Sequence, residues 1–149
     1  MKIYGPLSVR NYEQVYGSNN NDGTAALMVH GTFKPAAHDY FYGVTMMGGS
    51  TIDLSRRTSA LPLTSSFSQG RKTVDFAPNA NVTVSLGGRA DVRTLAKNKE
   101  YVVTWTAATA PGADVKFALD AQGAQSGMRL RRDTGGLRLA FGGFMLIVK

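Results

Sequence analysis

Hydrophobic and polar positions alternate twice between Asn81 and Thr106. Val82, Val84 and Leu86 alternate with Thr83 and Ser85, and further on Tyr101, Val103 and Trp105 oppose Val102, Thr104 and Thr106. A period of two carried by β-branched and aromatic residues marks half-buried strands. Gly87 and Gly88 break the first run, Asp91 is placed to cap one short helical turn near 91–97, and Asn98 to close it. The same alternation predicts strands at 25–33, 40–47, 51–54, 60–64, 72–76, 115–119, 128–132, 137–141 and 144–148.

Glycine, asparagine, proline and serine punctuate these runs, and no stretch patterns as an amphipathic helix of two turns or more. The expected fold is all-β: a single-domain antiparallel β-sandwich or jelly roll of roughly 8–12 short strands over residues 1–149. The first 16 residues read as an extended N-terminal arm. Ile3, Tyr4, Leu7 and Val9 favour strand, but Gly5 and Pro6 interrupt them, and Pro6 cannot donate to a ladder. The expectation is an edge strand or a tail that packs on a neighbour, with those four residues as an assembly arm.

One pattern occurs twice. Thr51, Ile52, Leu54 and Arg57 match Thr83, Val84, Leu86 and Arg89 as T-[I/V]-x-L-x-x-R, each followed by a leucine, Leu63 or Leu95. An internal duplication would set Arg57 and Arg89 on one surface. Two strand ends of similar composition would look the same, and a repeat needs more than seven positions at one spacing, so similar strand ends are the preferred reading.

The segment 128–141 reads as a hairpin. Met128 and Leu130 alternate with Arg129 and Arg131, Asp133 to Gly136 turn the chain, and Leu137, Leu139 and Phe141 alternate with Arg138 and Ala140. Arg129, Arg131 and Arg138 should share the outward face. There they either keep the sheet wet, meet another subunit, or grip phosphates and carboxylates. Tyr40 and Tyr42 flank Phe41 and would face the same way, as a platform for sugar rings, bases or a partner protein, unless a loop or subunit covers them.

Composition narrows the chemistry. The 149 residues contain no cysteine, which removes disulfides, thiolate nucleophiles and cysteine-ligated zinc and fits a reducing compartment. No phosphate-binding loop, nucleophile elbow or paired-histidine zinc motif occurs. The Asn-rich turn ending at Gly23 would place Ser18 and Val29 at the two critical ends of a calcium loop, neither a carboxylate. His38 beside Asp39 lacks the geometry of a base relay on sequence alone. The expectation is therefore no enzyme, no cofactor and no metal. With neither a secretory signal nor an apolar run near the roughly 20 residues of a bilayer span, no export and no membrane association are expected either. The net charge of +7 is uneven. Residues 1–75 carry 7 basic and 5 acidic side chains and residues 76–149 carry 10 and 5, which favours a polyanionic partner without selecting one.

A cysteine-free, strand-rich chain with an interrupted arm and arginines on its outer strands resembles, in composition and strand layout, the accessory structural proteins of tailed bacteriophage particles: capsid decoration proteins and small tail or neck components. The resemblance implies a virion protein assembled in the host cytoplasm, forming a homo-oligomer and contacting other virion proteins. Two alternatives stay open. One is a carbohydrate-binding or adhesion module using Tyr40 and Tyr42; the other is a nucleic-acid-binding β domain using Arg129, Arg131 and Arg138.

Overall fold

A computed structural model describes residues 7–9, 12–13, 27–35, 44–56, 63–64 and 74–142. Its short strands do not form an antiparallel sandwich or jelly roll. They stack in parallel, one above another, as the chain winds in successive coils.

Two strands per coil define the winding. Sheet A has the order β1 (Leu7–Val9), β3 (Leu27–Val29), β5 (Val44–Met46), β8 (Val74–Phe76), all parallel. Sheet B starts at β2 (Tyr12–Glu13) and continues through β4 (Thr32–Lys34), β6 (Thr51–Asp53) and β9 (Asn81–Ser85) to β11 (Lys116–Leu119), again all parallel. The chain visits the two sheets alternately up to β6, so the crossover that any parallel pair needs is supplied by a strand of the other sheet rather than by a helix. This is a β-solenoid.

Three-residue strands suffice because each coil needs only an in, out, in triplet on a side. In β5, Val44 and Met46 are buried while Thr45 is not; in β6 the reverse phase buries Ile52 between Thr51 and Asp53. Like residues stack on like down the axis: Leu27, Val44 and Val74 form one column, Val29, Met46 and Phe76 a second, and Phe33, Ile52 and Val84 a third. Most of these side chains are fully buried and belong to one continuous core. At about 25 cal/mol per Å² of apolar surface removed from water, such columns are the main stabilising element of the stack.

The repeated motif is real in space. Thr51, Ile52 and Asp53 pair in register with Thr83, Val84 and Ser85, and the Leu54 N–H continues the ladder to the Ser85 carbonyl at 2.8 Å. The resemblance stops where packing demands it. A Cβ on Gly87 would lie 2.1 Å from the Cβ of Ser55, and Gly87 sits at φ +58°, so the upper coil needs glycine over the lower coil's serine. Matching corners join sheet A to sheet B: Ser50 N–H donates to the Met47 carbonyl at 3.2 Å, and Ala80 N–H to the Ala77 carbonyl at 3.1 Å. Buried Ser50 satisfies its hydroxyl on the same Met47 carbonyl, at 2.6 Å.

The upper coils are longer and gain a third side. Thr32 and Thr51 are 19 residues apart, Thr51 and Thr83 are 32, and Asn81 and Lys116 are 35. The added length holds β7 (Leu63–Thr64) in one coil, and α1 (Val92–Lys97) with β10 (Tyr101–Thr104) in the next; β7 and β10 pair in parallel. After β11 come α2 (Ala121–Gln125), β12 (Met128–Asp133) and β13 (Gly136–Phe141). The expected hairpin forms with full antiparallel register, and β13 pairs antiparallel with β10, giving sheet C the order β12, β13, β10, β7. With α1 on β13 and α2 and β12 against β11, this hairpin covers the upper end of sheet B.

Two further expectations change. A second helix exists where at most one turn was expected: Asp120 caps α2 by accepting the Gly123 N–H at 2.7 Å. The expected arm contributes β1 and β2, paired to the coil above, while Ile3 and Tyr4 lie outside the described residues, as does the strand expected at 144–148.

Candidate interaction surface

The outer face of sheet C is built by register. Arg131 of β12 lies opposite Arg138 of β13, which lies opposite Tyr101 of β10; Arg129 lies opposite Ala140. Alternation along β12 puts Arg129 and Arg131 on one face, and both are exposed. Neither has an ionic partner among the described residues.

Arg138 is engaged. Its guanidinium carbon lies 4.0 Å from the centre of the Tyr101 ring, its Nε donates to Asp133 Oδ2, and its Nη2 donates to the Tyr101 hydroxyl. That hydroxyl in turn donates to Asp133 Oδ1 at 3.2 Å. Asp133 opens the hairpin turn and also accepts the N–H groups of Gly135 at 2.8 Å and Gly136 at 3.1 Å. Burial by itself would raise the Asp133 pKa, but the Gly135 N–H, Arg138 and Tyr101 outweigh it and hold the carboxyl below the usual carboxylate value.

Arg132 points the other way and locks the hairpin to the solenoid. It donates to the carbonyls of Pro111 and, at 2.9 Å, Gly112, and lies 5.5 Å from the Trp105 ring centre. Trp105 stacks on Phe117 at 6.2 Å, Phe117 meets Phe76 edge-on at 5.0 Å, and Trp105 Nε1 donates to the Asp133 carbonyl at 3.1 Å. Aromatic packing and a cation over the ring therefore fix the cap's position.

Of the other residues expected at the surface, Arg89 is not a free grip. Its side chain is 11% exposed and holds Asp91 through Nε at 2.9 Å and Nη2 at 2.8 Å, with Nη1 reaching the Leu54 carbonyl at 3.4 Å. It thus ties the turn after β9 to the coil below. Asp91, expected to cap α1, makes no cap hydrogen bond and spends its carboxylate on Arg89; the hydrogen bond from Arg89 is the main reason its pKa is lowered. Arg57, Tyr40, Tyr42, His38 and Asp39 lie outside the described residues. Leu7 and Val9 belong to β1.

The sequence reading missed Tyr101, Trp105, Arg132 and Asp133 as the residues that organise this face. Asp133 was legible, since aspartate at the first position of a turn ending in two glycines accepts the following N–H groups. Tyr101 was not: it lies 37 residues from Arg138, and only tertiary pairing joins them. Elsewhere, a cavity of about 210 Å³ opens between the turn after β9 and α2, walled by Gly87, Gly88, Arg89, Arg93, Asp120 and Gln122. Two of its three charges are occupied, Arg89 by Asp91 and Asp120 by the Gly123 N–H. Among the described residues no cluster of three or more metal-ligating side chains forms, and no helix is long and apolar enough to cross a membrane. Comparison of the chain with protein-family models, curated proteins and solved structures gave no match.

Proposed function

We propose that this chain is a non-enzymatic assembly subunit of a tailed-bacteriophage particle, self-associating through the lower end of its solenoid and contacting other virion proteins. The observation that carries the reading is the inequality of the two ends. At the upper end of sheet B, α2 and β12 pack against β11, whereas β2 at its lower end, and both end strands of sheet A, β1 and β8, are each paired on one side only among the described residues. The outer N–H and C=O groups of a terminal strand are a template for another strand, and closed symmetric assembly is the common way to cover them. The occupant proposed is β1 of a second copy. Composition and strand-rich layout supply the link to a phage particle, and they support it as a resemblance only.

Proline separates this joint from the fold. Within a parallel strand the N–H and C=O of one residue face one neighbour and those of the next face the other, so of Ser8→Pro and Val9→Pro one removes an outward amide and the other an amide bonded to β3. Absolute mass by light scattering should give an oligomer for the unmodified chain. One of the two variants should be monomeric with unchanged thermal stability. A monomeric unmodified chain, or two variants that both stay oligomeric, overturns the proposal.

A further inference from the structure

The outer face of sheet C breaks a local rule. Like charges directly opposite one another on neighbouring strands destabilise the pair, yet Arg131 faces Arg138 in register, with Arg129 two residues along on the same face. The segment from Met128 to Phe141 carries four arginines against one aspartate, a net +3 of the chain's +7. Asp133 offsets the charge of Arg138, which it holds in an ion pair, but not those of Arg129 and Arg131. Its oxygens already accept from two backbone N–H groups, Tyr101 and Arg138, and neither Arg129 nor Arg131 reaches it. Arg129 and Arg131 have no such compensation among the described residues, and an external anion is the natural source of it.

We infer that Arg129, Arg131 and Arg138 form a cradle for the phosphodiester backbone of a nucleic acid. Arg129 and Arg131 stand about 6.6 Å apart along a rigid strand, two residues at about 3.3 Å each, which suits an extended polymer carrying repeated single negative charges. Arginine's planar fork meets phosphate oxygens in pairs. Arg138 is held against Tyr101 and Asp133, so one member of the row is fixed in place before any ligand arrives. Arg138 also covers the Tyr101 ring, leaving no exposed aromatic platform in the row for base stacking. Binding is therefore to the backbone and indifferent to base sequence. It is independent of the oligomeric joint at β1, which lies on another sheet.

Fluorescence anisotropy with a labelled mixed-sequence oligonucleotide of about 20 nucleotides, single-stranded and duplex, tests this between about 50 and about 200 mM salt. Affinity should fall about 10-fold or more over that range, since each neutralised phosphate adds roughly 0.7 (single strand) to 0.9 (duplex) to the log–log salt slope. The double variant R129E/R131E should lose at least tenfold in affinity and reduce the slope by about 1.4–1.8. R129Q/R131Q should reduce the slope equally while leaving thermal stability equal or higher, because it relieves the pair opposite Arg138. K97E/K99E, which changes two exposed cations at the end of α1, should bind like the unmodified chain. No salt-dependent binding, equal weakening by K97E/K99E, or competition by polyglutamate as effective as by unlabelled oligonucleotide each overturns the inference, the last by making an acidic protein the partner.

Discussion

The solenoid body and its C-terminal cap solve the same problem by different physics. In the body, coil sits on coil through columns of Val, Ile, Met and Phe, and the described polar side chains outside are a supplement. In the cap, Met128, Leu137 and Leu139 join the same core, and one carboxylate, two arginines, a tyrosine and a tryptophan add bonds that are charged and directional. Apolar columns are insensitive to pH and non-specific in register, whereas a carboxylate-centred network is specific and titratable. A stack that could add coils without end needs such a stop. At β10 the pairing of sheet C turns from parallel to antiparallel, which ends the repeat.

The largest effect should come from the body. Ile52→Ala removes the middle of the Phe33, Ile52, Val84 column, where the side chain is fully buried, and should cost about 2–5 kcal/mol. Global unfolding in urea, followed by far-UV circular dichroism, measures it; a loss below about 1 kcal/mol would mean the column is not the core element described here.

Acid should separate the two regions. Asp133 has a folded pKa below its unfolded value of 3.8. Its contribution to stability is therefore complete above that value and is lost as pH falls through the lower folded pKa. Trp105 is the single tryptophan and donates to the Asp133 carbonyl, so its fluorescence reports on the cap. Titration below about pH 4 should change the fluorescence before the far-UV signal, and Asp133→Asn should abolish that early step. Coincident transitions in the unmodified chain would erase the distinction between body and cap. Asp53 is also lowered: burial opposes the shift, and hydrogen bonds from Ser55 and Lys34 outweigh it, so the body too loses some stability in acid.

The smallest effect belongs to the body's surface. Lys34 and Asp53 pair across adjacent coils at 3.3 Å, both partly exposed. Lys34→Ala should change stability by less than about 1 kcal/mol, and less still at high salt. A double-mutant cycle with Asp53→Ala would reveal any larger coupling.

Strand positions were readable because burial alternates with a period of two whatever the partner. Ile52, Val82 and Val84 sit inside as that pattern requires, and the turn at Asp133 to Gly136 carries its own chemistry. The sense of pairing was not readable, since an in, out, in triplet is the same in a parallel coil and an antiparallel hairpin. Uneven coil lengths of 19, 32 and 35 residues also blurred the repeat that would have announced the stack. At the candidate surface, the outward arginines of β12 were legible from alternation, but which arginines were already engaged was not. Arg89 and Arg132 are engaged through groups fixed only by folding, the Leu54 carbonyl from the coil below and the Pro111 and Gly112 carbonyls some twenty residues back.

Taken by itself, then, the chain marked most of its described strands, the hairpin turn at Asp133 to Gly136 and a basic outer β12 face, but not the corner at His30 and Gly31 that splits the strand expected at 25–33 into β3 and β4, nor α2. What it did mark follows from local alternation, turn residues and charge, all properties of neighbours in sequence. Which strands meet, that Thr51 stacks on Thr83, and that Arg138 lies bound over Tyr101 while Arg129 and Arg131 have no ionic partner among the described residues were decided by the tertiary structure. Those outcomes depend on burying one shared core, and no single segment carries the information for that.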